Sequence, residues 1–343
     1  HGACKNACPT DAISLVLGTE RRGVDIPNLQ PNFETNVPGV FVAGELGGLG
    51  LIRNAVEQGR QAMESITKSV STTDSKAPFD VIIIGAGPAG FSATLYAHEH
   101  KLKYATIEQE TLGGAVAHYP RGKIVMTAPL KLPIIGQVKL GEINKEVLMN
   151  FWRDAEQKSG IRINSKERMD KIERVDDGYI ITTQKAAYHT KTVLLAIGRR
   201  GTPRKLNVPG EESSKVVYRL DDPTQYRNRS VLIVGGGNSA LEAALQISEE
   251  PNTKVTLSYR GTAFQNANPR NIAAVDEASK AGKVQILMQS NVKRIGNRDV
   301  AILYQGRETD LPNDNVIICA GGVLPTTILK DIGIDVETKY GTV

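Results

Sequence analysis

Two glycine-rich turns hold the residues best suited to chemistry. Gly85-Ala86-Gly87-Pro88-Ala89-Gly90 reads G-x-G-x-x-G, and Gly235-Gly236-Gly237-Asn238-Ser239-Ala240 reads G-x-G-x-x-A. In such a turn the first glycine permits a tight bend and the second lets the backbone approach a pyrophosphate. The third small residue lets the following helix pack close to the strand. The helix that follows presents unpaired N–H groups and the positive end of its dipole to the phosphates. The implied chemistry is dinucleotide binding. Glu108 follows the first turn at close to the spacing of about 20 residues expected of a carboxylate that binds a ribose hydroxyl. After the second turn the next strand ends in Ser258-Tyr259-Arg260, with no carboxylate. An acid there would favour NAD, whereas an Arg can hold the 2′-phosphate of NADP. The alternative for the first turn is a parallel-sheet bend with no ligand.

The elements around these turns suit the dinucleotide reading. Val81-Ile82-Ile83-Ile84 is a short continuous apolar run, as in a parallel strand covered on both faces. A helix-compatible run, FSATLYAHEH, follows the first turn, and Glu108 ends the next apolar segment, YATIEQE. SVLIV precedes the second turn and SALEAAL follows it. Val40-Phe41-Val42-Ala43 reads as another buried strand. Gly44-Glu45 and further glycines lead from it into a helix pattern from about Leu51 to Ile66, with apolar Ile52, Ala55, Val56, Ala62, Met63 and Ile66. Residues 67–78, TKSVSTTDSKAP, read as a linker. Residues 142–160 carry a helix pattern, and short alternating strands follow.

Several motifs together resemble the thioredoxin-reductase-like pyridine-nucleotide flavoproteins. Thr35-Asn36-Val37-Pro38-Gly39 with Val40 to Glu45 resembles their closing segment, T-N-x-P-G-hydrophobic-x-A-G-D, with Glu45 in place of Asp. The resemblance implies that Gly44 and Glu45 contact FAD, and that the helix beginning at Leu51 and Ile52 points its N-terminus at the flavin. It further implies FAD contacts from Gly85, Gly87, Pro88, Ala89, Gly90, Glu108, Gln109, Gly113, Gly114, Ala115, Val116, Tyr119, Ala196 and Gly198. The run AHYPRGKI looks most like thioredoxin-reductase-type ferredoxin–NADP reductases and bacillithiol disulfide reductases. Tyr119 would stack on or near the flavin and His118 would hydrogen-bond it; His118 reads equally well as a boundary histidine with no role. For NAD(P) the resemblance implies Gly235, Gly237, Asn238, Ser239, Ala240, Tyr259, Arg260, Gly321 and Gly322. Relatives carry H-R-R where this chain has Tyr259-Arg260-Gly261, and an Arg where it has Gln265. No protein nucleophile is required, since the flavin does the chemistry.

Cys4-Lys5-Asn6-Ala7-Cys8-Pro9 resembles the end of a bacterial ferredoxin run, C-x2-C-x2-C-x3-C-P, whose thiolates bind 4Fe-4S clusters. His1 stands where the preceding Cys would be, so Cys4 and Cys8 make an incomplete ligand set. Two unrelated cysteines are the alternative. The reading is the cut end of a ferredoxin-like domain, with a cluster only in a longer chain.

At 343 residues two domains are expected. A composition 40% hydrophobic and 23% charged is that of a soluble globular protein. The net charge of +5 is dispersed, which argues against a nucleic-acid surface but suits an acidic electron carrier. No apolar run approaches a membrane span. Three cysteines, Cys4, Cys8 and Cys319, suit a reducing cytoplasm, and Cys319 reads as a buried small hydrophobe within a strand.

The expected architecture is α/β, with two Rossmann-like three-layer nucleotide-binding domains. Residues 1–17 would be the ferredoxin remnant, 18–66 a displaced closing segment of the FAD domain, 79–202 the FAD domain, 203–314 the NAD(P) domain and 315–343 the return to the FAD domain. In the family, G-I-x-V runs on to T-N-x-P-G; here Gly333 to Val336 is near the C-terminus and Thr35 to Gly39 near the N-terminus. That order suggests circular permutation, with a tandem arrangement as the competing account. The function expected is electron transfer between a nicotinamide cofactor and an iron–sulfur partner through flavin, by a homodimer. A disulfide reductase is the second reading, disfavoured because KVVYRLDDPTQYRNR has no cysteine and Ala89 stands where bacillithiol-type relatives have one. A nucleotide-sensing module is the third.

Overall fold

The computed structural model describes residues 23–48, 50–71, 75–119, 121–126, 128–138, 141–199, 201–265, 267–323 and 325–340. They fall into two compact units, one of residues up to 199 joined by those from 325 on, the other of residues 201–323. The expected ferredoxin remnant lies outside the described residues.

The first unit is built in chain order from β1 (Val24–Pro27), β2 (Val40–Val42), α1 (Ile52–Ser71), β3 (Phe79–Ile84), α2 (Pro88–Glu99), β4 (Tyr104–Ile107), α3 (Lys145–Ser159), β5 (Met169–Val175), β6 (Gly178–Thr183) and β7 (Ala187–Leu195). The sheet runs β4-β3-β7-β6-β5. β3 is parallel to both β4 and β7, while β7, β6 and β5 form an antiparallel meander. β2 pairs in parallel with the C-terminal half of β7, Val193 opposite Val40. The sequence at the centre requires this arrangement. Val81, Ile82 and Ile83 are fully buried and Ile84 nearly so, which is possible only for a strand covered on both faces. Each such side chain contributes about 1.5–3 kcal/mol by leaving water.

α1 and α2 pack on each other, with Ala62, Met63 and Ile66 in one cluster with Ala93, Tyr96 and Ala97. α1 continues to Ser71 instead of ending at Ile66, so the first part of the expected 67–78 linker is helical. The cause is Val70, which extends the buried stripe of Ala62 and Ile66 by one more turn. β1 pairs antiparallel with the strand Val336–Lys339, and the Asn36 side chain bonds the Gly333 carbonyl and the Asp335 N–H, both at 2.9 Å. α3 starts at its cap Asn144, whose side chain accepts the Val147 N–H, and ends at Gly160 with φ +72°. Its Leu148 and Trp152 are buried beside Phe91 of α2.

The second unit contains β8 (Val216–Val217), β9 (Ser230–Val234), α4 (Asn238–Ser248), β10 (Lys254–Tyr259), α5 (Pro269–Lys280), β11 (Val284–Met288), β12 (Asn291–Ile295), β13 (Asp299–Tyr304), β14 (Arg307–Pro312) and β15 (Asn315–Ile318). Its parallel sheet has the order β8-β15-β9-β10-β11, and β12, β13 and β14 form a separate antiparallel sheet. One expectation is corrected here. The sequence pattern assigns residues 315–323 to the return to the first unit, but β15 lies between β8 and β9 with Val316, Ile317 and Ile318 buried. The return begins at about residue 325. Cys319 is likewise not within a strand: it follows β15, half-buried.

Candidate functional site

The first glycine turn joins β3 to α2. Gly85 has φ +100°, and its N–H donates to the Ile107 carbonyl at 2.8 Å. A Cβ at Gly90 would lie 1.8 Å from the Gly85 carbonyl oxygen, so α2 sits as close to β3 as the motif anticipates. A Cβ at Gly87 would meet nothing nearer than the Gly114 Cα at 4.0 Å, which leaves room for a backbone-bound phosphate. Pro88 occupies the first helical turn, and Ala89 is buried.

Glu108 directly follows β4 and is 5% exposed. One carboxylate oxygen accepts the Ala86 N–H at 2.7 Å and the other the Glu110 N–H at 2.8 Å. Burial pushes its carboxyl up, and these two donors offset only part of that. Glu108 thereby ties the turn to the end of β4. Gln109 beside it is exposed.

Gly113 and Gly114 lie over the same turn. The Gly113 N–H donates to the Ala86 carbonyl at 2.9 Å, and a Cβ at Gly114 would be 3.0 Å from the Gly87 Cα. Both glycines have positive φ, +110° and +52°. A Cβ at Gly113 would strike Met149 of α3 at 2.7 Å. Ala115, Val116 and His118 continue in a short 3-10 turn, with Val116 buried. His118 pairs through Nε2 with the Glu110 carboxylate. Tyr119 accepts Lys145 Nζ at its carbonyl, 2.7 Å, and Lys123 lies 4.9 Å above its ring. Ala196 is buried, with its carbonyl 2.5 Å from where a Gly85 Cβ would be, and Gly198 follows with φ +63°.

The N-terminal segment meets this turn. Gly44, at φ +88°, would carry a Cβ 3.0 Å from the Ala89 Cβ, and its N–H donates to Gln58 Oε1 at 2.8 Å. Glu45 is exposed, as are Leu51 and, in part, Ile52 at the start of α1. Gln58 and Glu110 also take part here, Gln58 by accepting the Gly44 N–H and Glu110 by pairing with His118. Neither sits in a recognisable motif, and only the fold gives them partners.

The second turn repeats the arrangement between β9 and α4. Gly235 has φ +148°, donates its N–H to the Ser258 carbonyl at 2.9 Å, and would carry a Cβ 2.3 Å from the Cys319 carbonyl oxygen. A Cβ at Gly237 would meet no atom within 4 Å, and Ala240 is fully buried. Asn238 and Ser239 are exposed at the first turn of α4. The Tyr259 ring covers Gly236 and stacks on Phe264, with centroids 5.6 Å apart. Arg260 is exposed at the end of β10. Gly321, at φ +83°, accepts the Arg204 N–H at 2.9 Å, and Gly322 pairs with Pro203.

Cys4 and Cys8 lie outside the described residues, among which no group of His, Cys, Asp and Glu is placed to hold a metal ion. No helix among them is long and apolar enough to cross a membrane.

A profile of the family described as pyridine nucleotide-disulphide oxidoreductase matches residues 82–342. A ferredoxin–NADP reductase of Ignicoccus hospitalis is 27% identical over 270 residues, covering 76% of this chain and 83% of that protein. The thioredoxin reductase structure of T. acidophilum superposes with a TM-score of 0.52 at 25% identity, covering 75% of this chain and 81% of that one. The bacillithiol disulfide reductase Bdr of Bacillus cereus superposes with a TM-score of 0.60 at 24% identity, over 74% of this chain and 81% of that one, a likeness of fold.

Proposed function

The chain belongs to the pyridine nucleotide-disulphide oxidoreductase family as an NAD(P)H-dependent flavoprotein oxidoreductase, and from that premise we propose that it passes electrons between a nicotinamide nucleotide and an iron–sulfur, ferredoxin-type carrier. One observation carries the reading: two strand–glycine–helix turns, each in its own unit, both leave open space at their second glycine. FAD at the first turn would supply the step from two-electron hydride chemistry to one-electron release.

The residues present fit that group. Gly87 would leave the phosphate its room, and the Glu108 carboxylate would accept a ribose hydroxyl. Gly113 and Gly114 offer bare backbone to a flat ring, and Tyr119 and His118 border them. At the second turn Gly237, Asn238 and Ser239 would take the nicotinamide nucleotide's pyrophosphate. Tyr259 and Arg260 would take its adenosine end. Gly321 and Gly322 border the same turn.

Residues 24–71 are proposed to complete the FAD unit of their own chain. Support comes from the β2–β7 pairing, the seat of α1 on α2 and the β1 pairing with residues 336–339. This segment also lies outside the family match at 82–342. Glu45, Leu51 and Ile52 would then face the flavin.

A thiol–disulfide activity lacks its attacking group. Position 89 is Ala, and Lys215 to Arg229 contains no cysteine. The test is anaerobic stopped-flow mixing with NADPH and with NADH, followed by addition of ferredoxin or cytochrome c. Flavin bleaching followed by one-electron acceptor reduction is expected. A flavin that stays oxidised under excess of both nucleotides overturns the reading.

A further inference from the structure

We propose that Arg270 is a specificity-determining residue that holds the 2′-phosphate of NADPH jointly with Arg260. The inference rests on the second unit being the nicotinamide nucleotide site. The family pattern resembled here carries further arginines at the positions of Gly261 and Gln265. Position 261 is closed to such a side chain, because a Cβ there would lie 2.6 Å from Tyr259 Cε1. The same ring covers Gly236 and stacks on the buried Phe264, so it cannot yield without opening the turn. Position 261 thus offers no cation and Gln265 carries no charge, so a second cation would come from beyond the loop.

The loop returns to the turn at α5. The Asn268 N–H donates to Asn238 Oδ1 at 2.6 Å, and Asn271 Nδ2 donates to the same oxygen at 3.1 Å. Asn238 is the first residue of α4 and part of the glycine motif. Asn268 also caps α5 by accepting the Arg270 N–H at 2.9 Å. These bonds fix the first turn of α5, and with it Arg270, against the dinucleotide turn. Arg260 approaches from the end of β10. Both guanidinium groups are exposed, and neither has an ion pair or side-chain hydrogen bond among the described residues. The nearby Glu242 carboxylate is engaged by Asn271 Nδ2 at 3.1 Å. One guanidinium carried at the end of β10 and one on the first turn of α5, neither with an ion pair among the described residues, match a dianionic phosphomonoester, which each can grip through paired N–H donors.

The test is calorimetric titration of the intact flavoprotein with 2′,5′-ADP and with 5′-AMP, in wild type, Arg270→Gln, Arg260→Gln, Arg270→Lys and Lys280→Gln. Wild type should bind 2′,5′-ADP at least about a hundredfold more tightly than 5′-AMP. Arg270→Gln should shrink that ratio by about ten- to a hundredfold, the range for loss of a hydrogen bond to a charged group. Arg270→Lys should restore part of it. Lys280→Gln, at the far end of α5, should match wild type. An Arg270→Gln ratio equal to wild type, or a wild type that does not discriminate, overturns the proposal. The readout does not involve flavin reduction, so failure of the electron-transfer reading would appear separately, in the stopped-flow traces.

Discussion

Gly59 faces the carbonyl of Ala89 so closely that a Cβ at position 59 would fall 2.1 Å from its oxygen. Ala89 belongs to the first glycine turn and Gly59 to α1, so the two helices touch backbone to backbone where the dinucleotide turn is shaped. A side chain at 59 must push α1 away, and overpacking of this kind costs about 1–3 kcal/mol. Gly59→Val is therefore expected to lower the melting temperature and the flavin-to-protein ratio together. Gly141→Ala, where a Cβ meets nothing within 4 Å, should change neither. Wild-type flavin content in Gly59→Val would detach residues 52–71 from the site.

The glycines of the two turns should divide by what a methyl group meets. Gly90→Ala would place it 1.8 Å from the Gly85 carbonyl oxygen, and a folding defect is expected by thermal melting. Gly87→Ala and Gly237→Ala place it in open space. Compared free of flavin and nucleotide, both should melt near wild type, yet lose affinity about tenfold or more because the methyl would occupy the phosphate's room. Gly87→Ala should lose FAD and Gly237→Ala should raise the KM for the nicotinamide nucleotide. Equal melting temperatures for Gly90→Ala and Gly87→Ala would contradict this division.

The strand–turn–helix units at 79–99 and 230–248 were legible because their signals are local: an apolar run, a glycine at the bend, a helical pattern after it. The allegiance of β15 was not legible. Val316, Ile317 and Ile318 form an apolar run that fits either parallel sheet, and the choice is made by the crossover connection. The end of α1 was missed because Val70 stands among Ser, Thr and Lys and reveals its burial only against α2. The two glycine turns and the return of Glu108 to the first of them could be expected from spacing. The partners of Gln58 and Glu110 and the seat of the first turn of α5 on Asn238 could not, since they depend on contacts between segments.

Glu108 gives the first unit a defined response to pH. Burial raises its carboxyl above the ordinary range, so its folded state takes up a proton more readily than the unfolded chain. Its contribution is fully present below the unfolded carboxyl value and is lost as pH rises through the raised value. Flavin-free wild type should thus lose part of its stability on going from about pH 4 to about pH 7, and Glu108→Gln should flatten that part of the profile. Melting curves over this range decide it. A variant profile parallel to wild type would show that Glu108 titrates as an ordinary carboxyl. The same variant should also bind FAD more weakly, because Gln keeps one acceptor where Ala86 and Glu110 supply two N–H donors.

Glu211 acts with the opposite sign in the second unit. Glu211 is buried, 7% exposed as a residue, and burial alone would push its carboxyl up. The Leu206 N–H at 2.8 Å, the Asn207 N–H at 2.6 Å and the Tyr218 hydroxyl at 2.9 Å outweigh burial and hold it below the ordinary range. The Tyr218 phenol is pushed up to about 12, by burial first and then by the Glu211 charge it faces. The contribution of Glu211 is therefore present above the unfolded carboxyl value, about 4.3, and is lost as pH falls through the lowered folded value. At pH 7, Glu211→Gln should cost about 1–3 kcal/mol in urea unfolding of the second unit, the range for a buried, charge-assisted network left mispaired. Tyr218→Phe, which removes one donor and leaves the backbone N–H donors in place, should cost about 1 kcal/mol. Near pH 3 the wild type should itself have lost much of this term, so the gap between wild type and Glu211→Gln should narrow. A gap of equal size at both pH values would mean that the carboxylate's charge plays no part in holding the 206–211 loop.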